Sequence, residues 1–355
     1  MKAVVFRGKG NLVVEEYPLQ SLKEGWVRVR IQEAGICGSD LHVLGKGYDE
    51  NPGDLEGKIL GHENAGIVAE LGPGVRSSWK GQRVGVKPWI TCRGCHYCES
   101  GWFVHCPTAG ITGGADYSGG YAEFLDVPAV NLYPLPDSVS FSEATQLDST
   151  ACGVHAVAMA ELKPGGSVVV IGDGNIALLA LQVAALSSPK HLVMVGKHEK
   201  NLQLARKLGA TQVIDLTKTN HLEAVKEITG GVGADVVIEA VGRKSDTISD
   251  AVTMVAPTGK VIMMGVFTEP RPVPLKDVLL KNVKILGSLV YGYWGAYEEF
   301  QLALDLIEAG KVQVEPLVTH RFPLDKATEA IHTFTHKNES GALKVIFVPT
   351  STGDM

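Results

Sequence analysis

Val168-Val-Val-Ile-Gly172-Asp-Gly174-Asn-Ile-Ala177 is the stretch that decides the fold. A β-branched run ends on Gly-x-Gly-x-x-Ala, and an apolar helical pattern over residues 176–185 begins inside that motif. The glycines permit a tight turn and let a pyrophosphate approach the backbone at a helix N-terminus, with Gly172, Gly174, Asn175 and Ile176 lining it. Ala177 is small enough for the helix to lie close to the strand. Alone the motif is weak, and its surroundings decide the matter. Apolar strands at 167–171, 191–195, 212–214, 235–239, 260–264 and 283–287 alternate with helical segments such as 202–208. Such alternation specifies an α/β fold, a doubly wound parallel sheet covered by helices on both faces.

The flanks have another texture. Short strands at 3–6, 12–16, 26–33, 65–70 and 119–127 are broken by glycines, which suggests an irregular β-rich body. A helix near 296–309 and strands at 318–322 and 344–348 close the chain, and 349–355 reads as a loose tail. Ser140-Phe-Ser-Glu143 fits a capping box whose helix should run to about Leu162, where Lys163-Pro-Gly-Gly166 stops it. The expected division is a β-rich domain of 1–149 and 292–355, with a dinucleotide-binding domain of 150–291. A chain of 355 residues suits two domains.

Composition narrows the partners. The chain is 45% apolar and 20% charged, with a formal net charge of -6 and its Lys and Arg dispersed. No basic face for nucleic acid or an anionic membrane is visible, and no apolar run is long enough to span a bilayer. Met1-Lys-Ala-Val-Val-Phe6 reads as a strand and lacks the features of a signal peptide. A cytoplasmic protein is expected, where clustered cysteines bind metal more often than they pair.

Cys92-Arg-Gly-Cys95-His-Tyr-Cys98, followed by Cys106, is the strongest local signal. Four thiolates within one loop suit tetrahedral zinc and leave no open position, so this zinc would be structural. Free or redox-paired cysteines are the plain alternative, and an iron–sulfur cluster would need an electron-transfer partner site that the sequence does not display. A second constellation, Cys37-Gly-Ser39-Asp40-Leu-His42 with Gly61-His62-Glu63, is weak in its parts. Cys37, His62 and a carboxylate together make a mixed set of three protein ligands with a fourth position open, as a catalytic zinc requires.

The order Cys-x-Ser-Asp-x-His, Gly-His-Glu, the cysteine lobe and the glycine-rich turn resembles the zinc-containing medium-chain dehydrogenases, which include the alcohol, sorbitol and threonine dehydrogenases. The resemblance covers essentially the whole chain. It implies a Rossmann domain joined to an irregular, GroES-like β-rich catalytic domain, two zinc ions per subunit and a homodimer or homotetramer. By the family match the third ligand of the catalytic zinc is Asp148, with Glu63 the alternative. The implied reaction is Lewis-acid activation of an alcohol by zinc with hydride transfer to a nicotinamide, Ser39 starting a proton relay that His42 continues.

The cofactor is read at the end of the second parallel strand, where an NAD enzyme carries an acid for the ribose hydroxyls. That position falls on Gly196, followed by Lys197, His198 and Lys200, so NADP is favoured, as the resemblance to NADP-dependent secondary alcohol dehydrogenases also implies. In the alternative, these charges are solvated and Glu199 serves NAD. Val241, Gly265, Val266 and Leu289 should line the nicotinamide half, and Lys344 either reaches the pyrophosphate or is a surface lysine. The substrate pocket is expected between the domains, with Trp89 and Tyr48 as substrate contacts and Tyr291 a weaker one, favouring secondary or hydrophobic alcohols. The rivals are an NAD-dependent polyol or amino-alcohol dehydrogenase, a zinc-free quinone reductase and an inactive zinc- and nucleotide-binding structural protein.

Overall fold

Ser167–Ile171, a run of serine, three valines and isoleucine, is the centre of a six-stranded, wholly parallel sheet. Strand order is Gln212–Asp215, His191–Gly196, Ser167–Ile171, Ala234–Glu239, Val255–Met263 and Lys284–Gly287. The strands are near-continuous apolar runs because helices cover both faces. Among those helices, Asn175–Ala185 is buried from Ala177 to Ala184. The order of strands reverses beside Ser167–Ile171, which makes the carboxyl ends of that strand and of Ala234–Glu239 the topological switch point. The doubly wound Rossmann sheet is thus the one read from the sequence.

The computed structural model describes residues 1–8, 10–44 and 55–349. They form two compact units, Met1–Asp148 with Val314–Met355, and Ser149–Gln313. The segment 292–313, expected with the β-rich domain, belongs to the second unit. The reason is burial: helix Glu299–Glu308 sinks Phe300, Ala303, Leu304 and Ile307, and Glu299 bonds His155 at 2.9 Å.

The first unit is built on a sheet ordered Val318–Pro323, Lys344–Val348, Trp26–Gly35, Glu63–Leu71, Arg83–Val86 and Leu132–Pro134, with Phe124–Pro128 also paired to Trp26–Gly35. Val27, Val29, Ile31, Leu125 and Phe347 point into its core, alternating with outward polar residues. The capping box at Ser140 is present, but its helix ends at Ala144 and a second one runs Leu147–Ala160. The expected single helix is broken because the Thr145 hydroxyl donates to Ser142 O (2.7 Å) and Gln146 N to Glu143 O (3.0 Å), tightening the turn.

Candidate active site and metal centres

The antiparallel ladder of Trp26–Gly35 with Glu63–Leu71 ends on the pair Gly35 and Glu63. Cys37 lies just beyond the first strand and His62 just before the second, so strand register joins residues that are distant in sequence. Ligand atoms of Cys37, His62 and Glu63 all lie within 4.8 Å of one another. His62 and Glu63 are buried and Cys37 is half-buried. Sulfur, imidazole and carboxylate converging in this way fit a zinc ion with one position open.

Asp148, expected as the third ligand, lies in the first turn of helix Leu147–Ala160 and stands outside that group, whereas Glu63, next to His62 in sequence, belongs to it. The charge of Asp148 still acts on the site. Burial lowers the His62 pKa, yet Cys37, Asp40 and Asp148 together drive it well above its ordinary value. An imidazole held by so many anions is where a divalent cation replaces a proton.

Sequence reading gave Asp40 no role, and the structure shows one. Its carboxylate accepts from Cys37 N (2.8 Å) and the Tyr121 hydroxyl (2.5 Å), and lies 3.8 Å from His62 Nδ1. Burial raises its pKa, against the opposing pull of His62, Tyr121 and the Cys37 amide. At 3.8 Å the carboxylate acts on the imidazole through its charge rather than through a hydrogen bond. Tyr121 is fully buried against Phe347 (4.8 Å), and Gly61 makes room for it: a Cβ there would lie 2.4 Å from the Tyr121 ring, on a backbone with φ of +97°. The signal available in sequence was Asp40 three residues after Cys37.

Lys344, expected at a pyrophosphate, is 2 % exposed and its ammonium pairs with the Glu63 carboxylate. A buried ammonium needs a carboxylate beside it, and the pairing of Ile346 with Gly35 carries Lys344 to that one. Ser39 is an exposed turn residue before the short helix Asp40–Val43, and Trp89 is half-buried on Trp89–Ile90. Tyr48 lies outside the described residues, as does the side chain of His42.

In the cysteine lobe, Sγ separations are 3.9 Å for Cys92–Cys98, 3.6 Å for Cys95–Cys98 and 3.5 Å for Cys92–Cys106. A tetrahedron with sulfurs about 2.3 Å from a central zinc has edges of about 3.8 Å. The four residues therefore fit that ion, and all four ligand atoms lie within 4.8 Å of one another. The Thr108 hydroxyl and the Cys92 amide hold the Cys106 thiol down at about 6, favouring the thiolate that a metal needs.

The dinucleotide residues gather at the switch point of the second unit. Gly172 ends its strand at φ +116°, and Gly174 caps helix Asn175–Ala185 with no heavy atom within 4 Å of where a Cβ would be. An anion can approach that helix start, with Asn175 and Ile176 in its first turn, so the cradle fits a pyrophosphate. Val241, Val266 and Leu289 are exposed beyond the ends of neighbouring strands, and Gly265 lies beside Glu239. Glu239, which opens the stretch Glu239-Ala-Val-Gly242 expected along the nicotinamide half, has a role within the turn that the sequence did not display. Fully buried, it accepts from Val241 N (2.8 Å), Gly242 N (2.9 Å) and the Thr247 hydroxyl (2.7 Å), and so shapes the turn that carries Val241.

Comparison with known proteins agrees with this geometry. Residues 23–137 match the alcohol dehydrogenase GroES-like domain, and residues 174–309 the zinc-binding dehydrogenase domain. L-threonine 3-dehydrogenase of Bacillus velezensis is 31% identical over 353 residues, covering 98% of this chain and 99% of that protein. Sorbitol dehydrogenase of Bacillus subtilis is 28% identical over 350 residues, covering 98% and 97%. A solved candidate zinc-binding dehydrogenase from Sinorhizobium meliloti, bound to NADP, is 28% identical with a TM-score of 0.87, covering 98% and 99%. An Escherichia coli alcohol dehydrogenase complexed with NADH is 26% identical with a TM-score of 0.89, at the same coverage. No helix among the described residues is long and apolar enough to cross a membrane. From its motifs, its two clusters of candidate metal ligands and relatives that match it end to end, the chain belongs to the zinc-containing medium-chain alcohol dehydrogenase family.

Proposed function

We propose that the chain interconverts an alcohol, secondary or hydrophobic, and its carbonyl compound, with NADP(H) as hydride partner and two zinc ions per subunit. The observation that carries this reading is the convergence of Cys37, His62 and Glu63 at the end of one strand ladder. Zinc held there supplies Lewis-acid polarisation of the substrate oxygen, and the nicotinamide supplies the hydride acceptor or donor. Proximity favours Glu63 over Asp148 as third ligand, with Lys344 balancing its charge. Asp40 acts on His62 through its charge, and Ser39, exposed in the adjoining turn, hands the substrate proton towards His42. Trp89 supplies an apolar wall.

The NADP(H) assignment is supported by the absence of an acid at Gly196, by the exposed Lys197 beside it and by the engagement of Glu199. That carboxylate, the NAD alternative, is held by Lys218 (2.9 Å) and Gln203 (3.2 Å). The exposed leucines of helix Leu275–Lys281 and the edge strand Lys284–Gly287 support a homodimer or homotetramer, and cysteines gathered as candidate metal ligands support a cytoplasmic setting. A second reading, an NAD-dependent polyol or amino-alcohol dehydrogenase, is favoured by the activities of the sorbitol and threonine relatives. Initial rates over primary, secondary and polyhydroxy alcohols with NADP⁺ and NAD⁺ separate the two. Highest kcat/KM for a secondary alcohol with NADP⁺ is expected; highest kcat/KM for a polyol or amino alcohol with NAD⁺ establishes the second reading.

A further inference from the structure

Asp173, the residue between the two glycines of the dinucleotide turn, does not face outward. It is almost wholly buried, and its carboxylate accepts from Lys197 N (2.9 Å), His198 N (2.6 Å) and His198 Nδ1 (3.0 Å to each oxygen). Its own carbonyl accepts from Asn201 Nδ2 at 2.9 Å. The turn after the first parallel strand is thereby tied to the loop after the second, at the point where the family reads the adenosine ribose. A side chain at Gly196 has no room, because its Cβ would sit 2.6 Å from the Asp173 Cβ.

We infer that Asp173 is a positioning residue for cofactor choice: it holds the His198 imidazole to receive the 2′-phosphate of NADP(H). This rests on the NADP(H) reading above and deepens it. Three observations converge. Asp173 fills the space from which an acid at position 196 would reach the ribose hydroxyls, so that acid is excluded sterically. The carboxylate that takes its place spends its oxygens on two amides and an imidazole, so it does not present them to hydroxyls. What the loop offers outward is donor and cation: Lys197 is exposed, and the His198 side chain is 32 % exposed against 9 % for Asp173. The nearby acids are also engaged, Asp215 and Glu199 both pairing with Lys218 at 2.8 and 2.9 Å.

The chemistry follows from the tether. The tether fixes the ring's orientation: Nδ1 faces the Asp173 carboxylate, which leaves Nε2 to face an incoming phosphate, and an imidazolium donates from both nitrogens at once. A cation aimed at one phosphate discriminates; a cluster of loose lysines would not.

The test measures binding rather than turnover. Isothermal titration with 2′,5′-ADP and 5′-AMP compares the adenosine half with and without its 2′-phosphate. Wild type should bind 2′,5′-ADP at least about 10-fold more tightly, and His198→Ala should lose about 10-fold for that probe and less than about 2-fold for 5′-AMP. Asp173→Asn should show the same selective loss, and the double variant should lose nothing more, since Asp173 acts through His198. Additive losses, equal weakening of both probes, or intact selectivity in Asp173→Asn would overturn the inference while leaving the NADP(H) reading standing. Should Asp173→Asn not fold, His198→Ala that keeps the full preference overturns it alone. A wild type with no preference for 2′,5′-ADP would instead sink the NADP(H) reading itself.

Discussion

Asp40 shows how one side chain serves both folding and chemistry. It satisfies the Cys37 amide and the buried Tyr121 hydroxyl while facing the imidazole of His62, so the loop of the proposed metal site is shaped by a residue outside the proposed ligand set. Replacing it by asparagine keeps its size and removes the charge behind His62. Zinc affinity at this site should fall by about 10-fold, the low end of the cost of losing a partner behind a metal ligand, because this carboxylate acts through its charge at 3.8 Å, with the cysteine lobe unaffected. Competition titration against a chromophoric chelator measures this directly; unchanged affinity at both sites would remove Asp40 from the account. Residues whose meaning is local were legible in the sequence. Cys92, Cys95, Cys98 and Cys106 lie within one loop, and Gly172 and Gly174 within one turn, so their spacing carries their geometry. Lys344, Asp173 and Glu239 were not legible, because what each touches is set by strand register or by the folding of a turn.

At the scale of elements, the strands could be read because apolar runs and glycine breaks mark them. The parallel strands fall within a few residues of their expected ends, except that the fifth begins at Val255. The helix after Ser140 was read too long, since nothing in the residue types of Thr145 and Gln146 announces that they bury and turn the chain. Glu299 is the other case, an acid at a helix start that reads as a surface residue and is 1 % exposed. Its carboxylate is bonded by His155 and by Gly292 N, which fastens helix Glu299–Glu308 to helix Leu147–Ala160 within the second unit. His155→Ala strands a buried carboxylate, and unfolding in urea should show a loss of about 3–5 kcal/mol. The double variant His155→Leu with Glu299→Leu should be markedly less destabilised, because the uncompensated charge goes with its partner. A single variant as stable as wild type would mean that the pair carries little.

Across the whole molecule, the two proposed zinc sites differ in what surrounds them. The cysteine tetrad belongs to a loop with few buried apolar residues, Phe103 and Cys106 among them, so its fold depends on what the four sulfurs bind. Cys37, His62 and Glu63 sit on a sheet whose core stands without them, so emptying that cluster should spare the fold and end the chemistry. The third-ligand question, Asp148 against Glu63, was open in the sequence because both carboxylates follow the family's pattern; the convergence of Glu63 with Cys37 and His62 is what the proposed assignment to Glu63 rests on. The most direct measurement is zinc content by plasma mass spectrometry alongside turnover, in wild type, Cys37→Ala and Cys98→Ala. One zinc for each of the two clusters is expected in wild type, with Cys37→Ala losing one zinc and all turnover while keeping its melting temperature, and Cys98→Ala losing the other with its stability. A wild type that oxidises alcohols without zinc, or a Cys37→Ala variant that keeps both metal and turnover, would contradict the account.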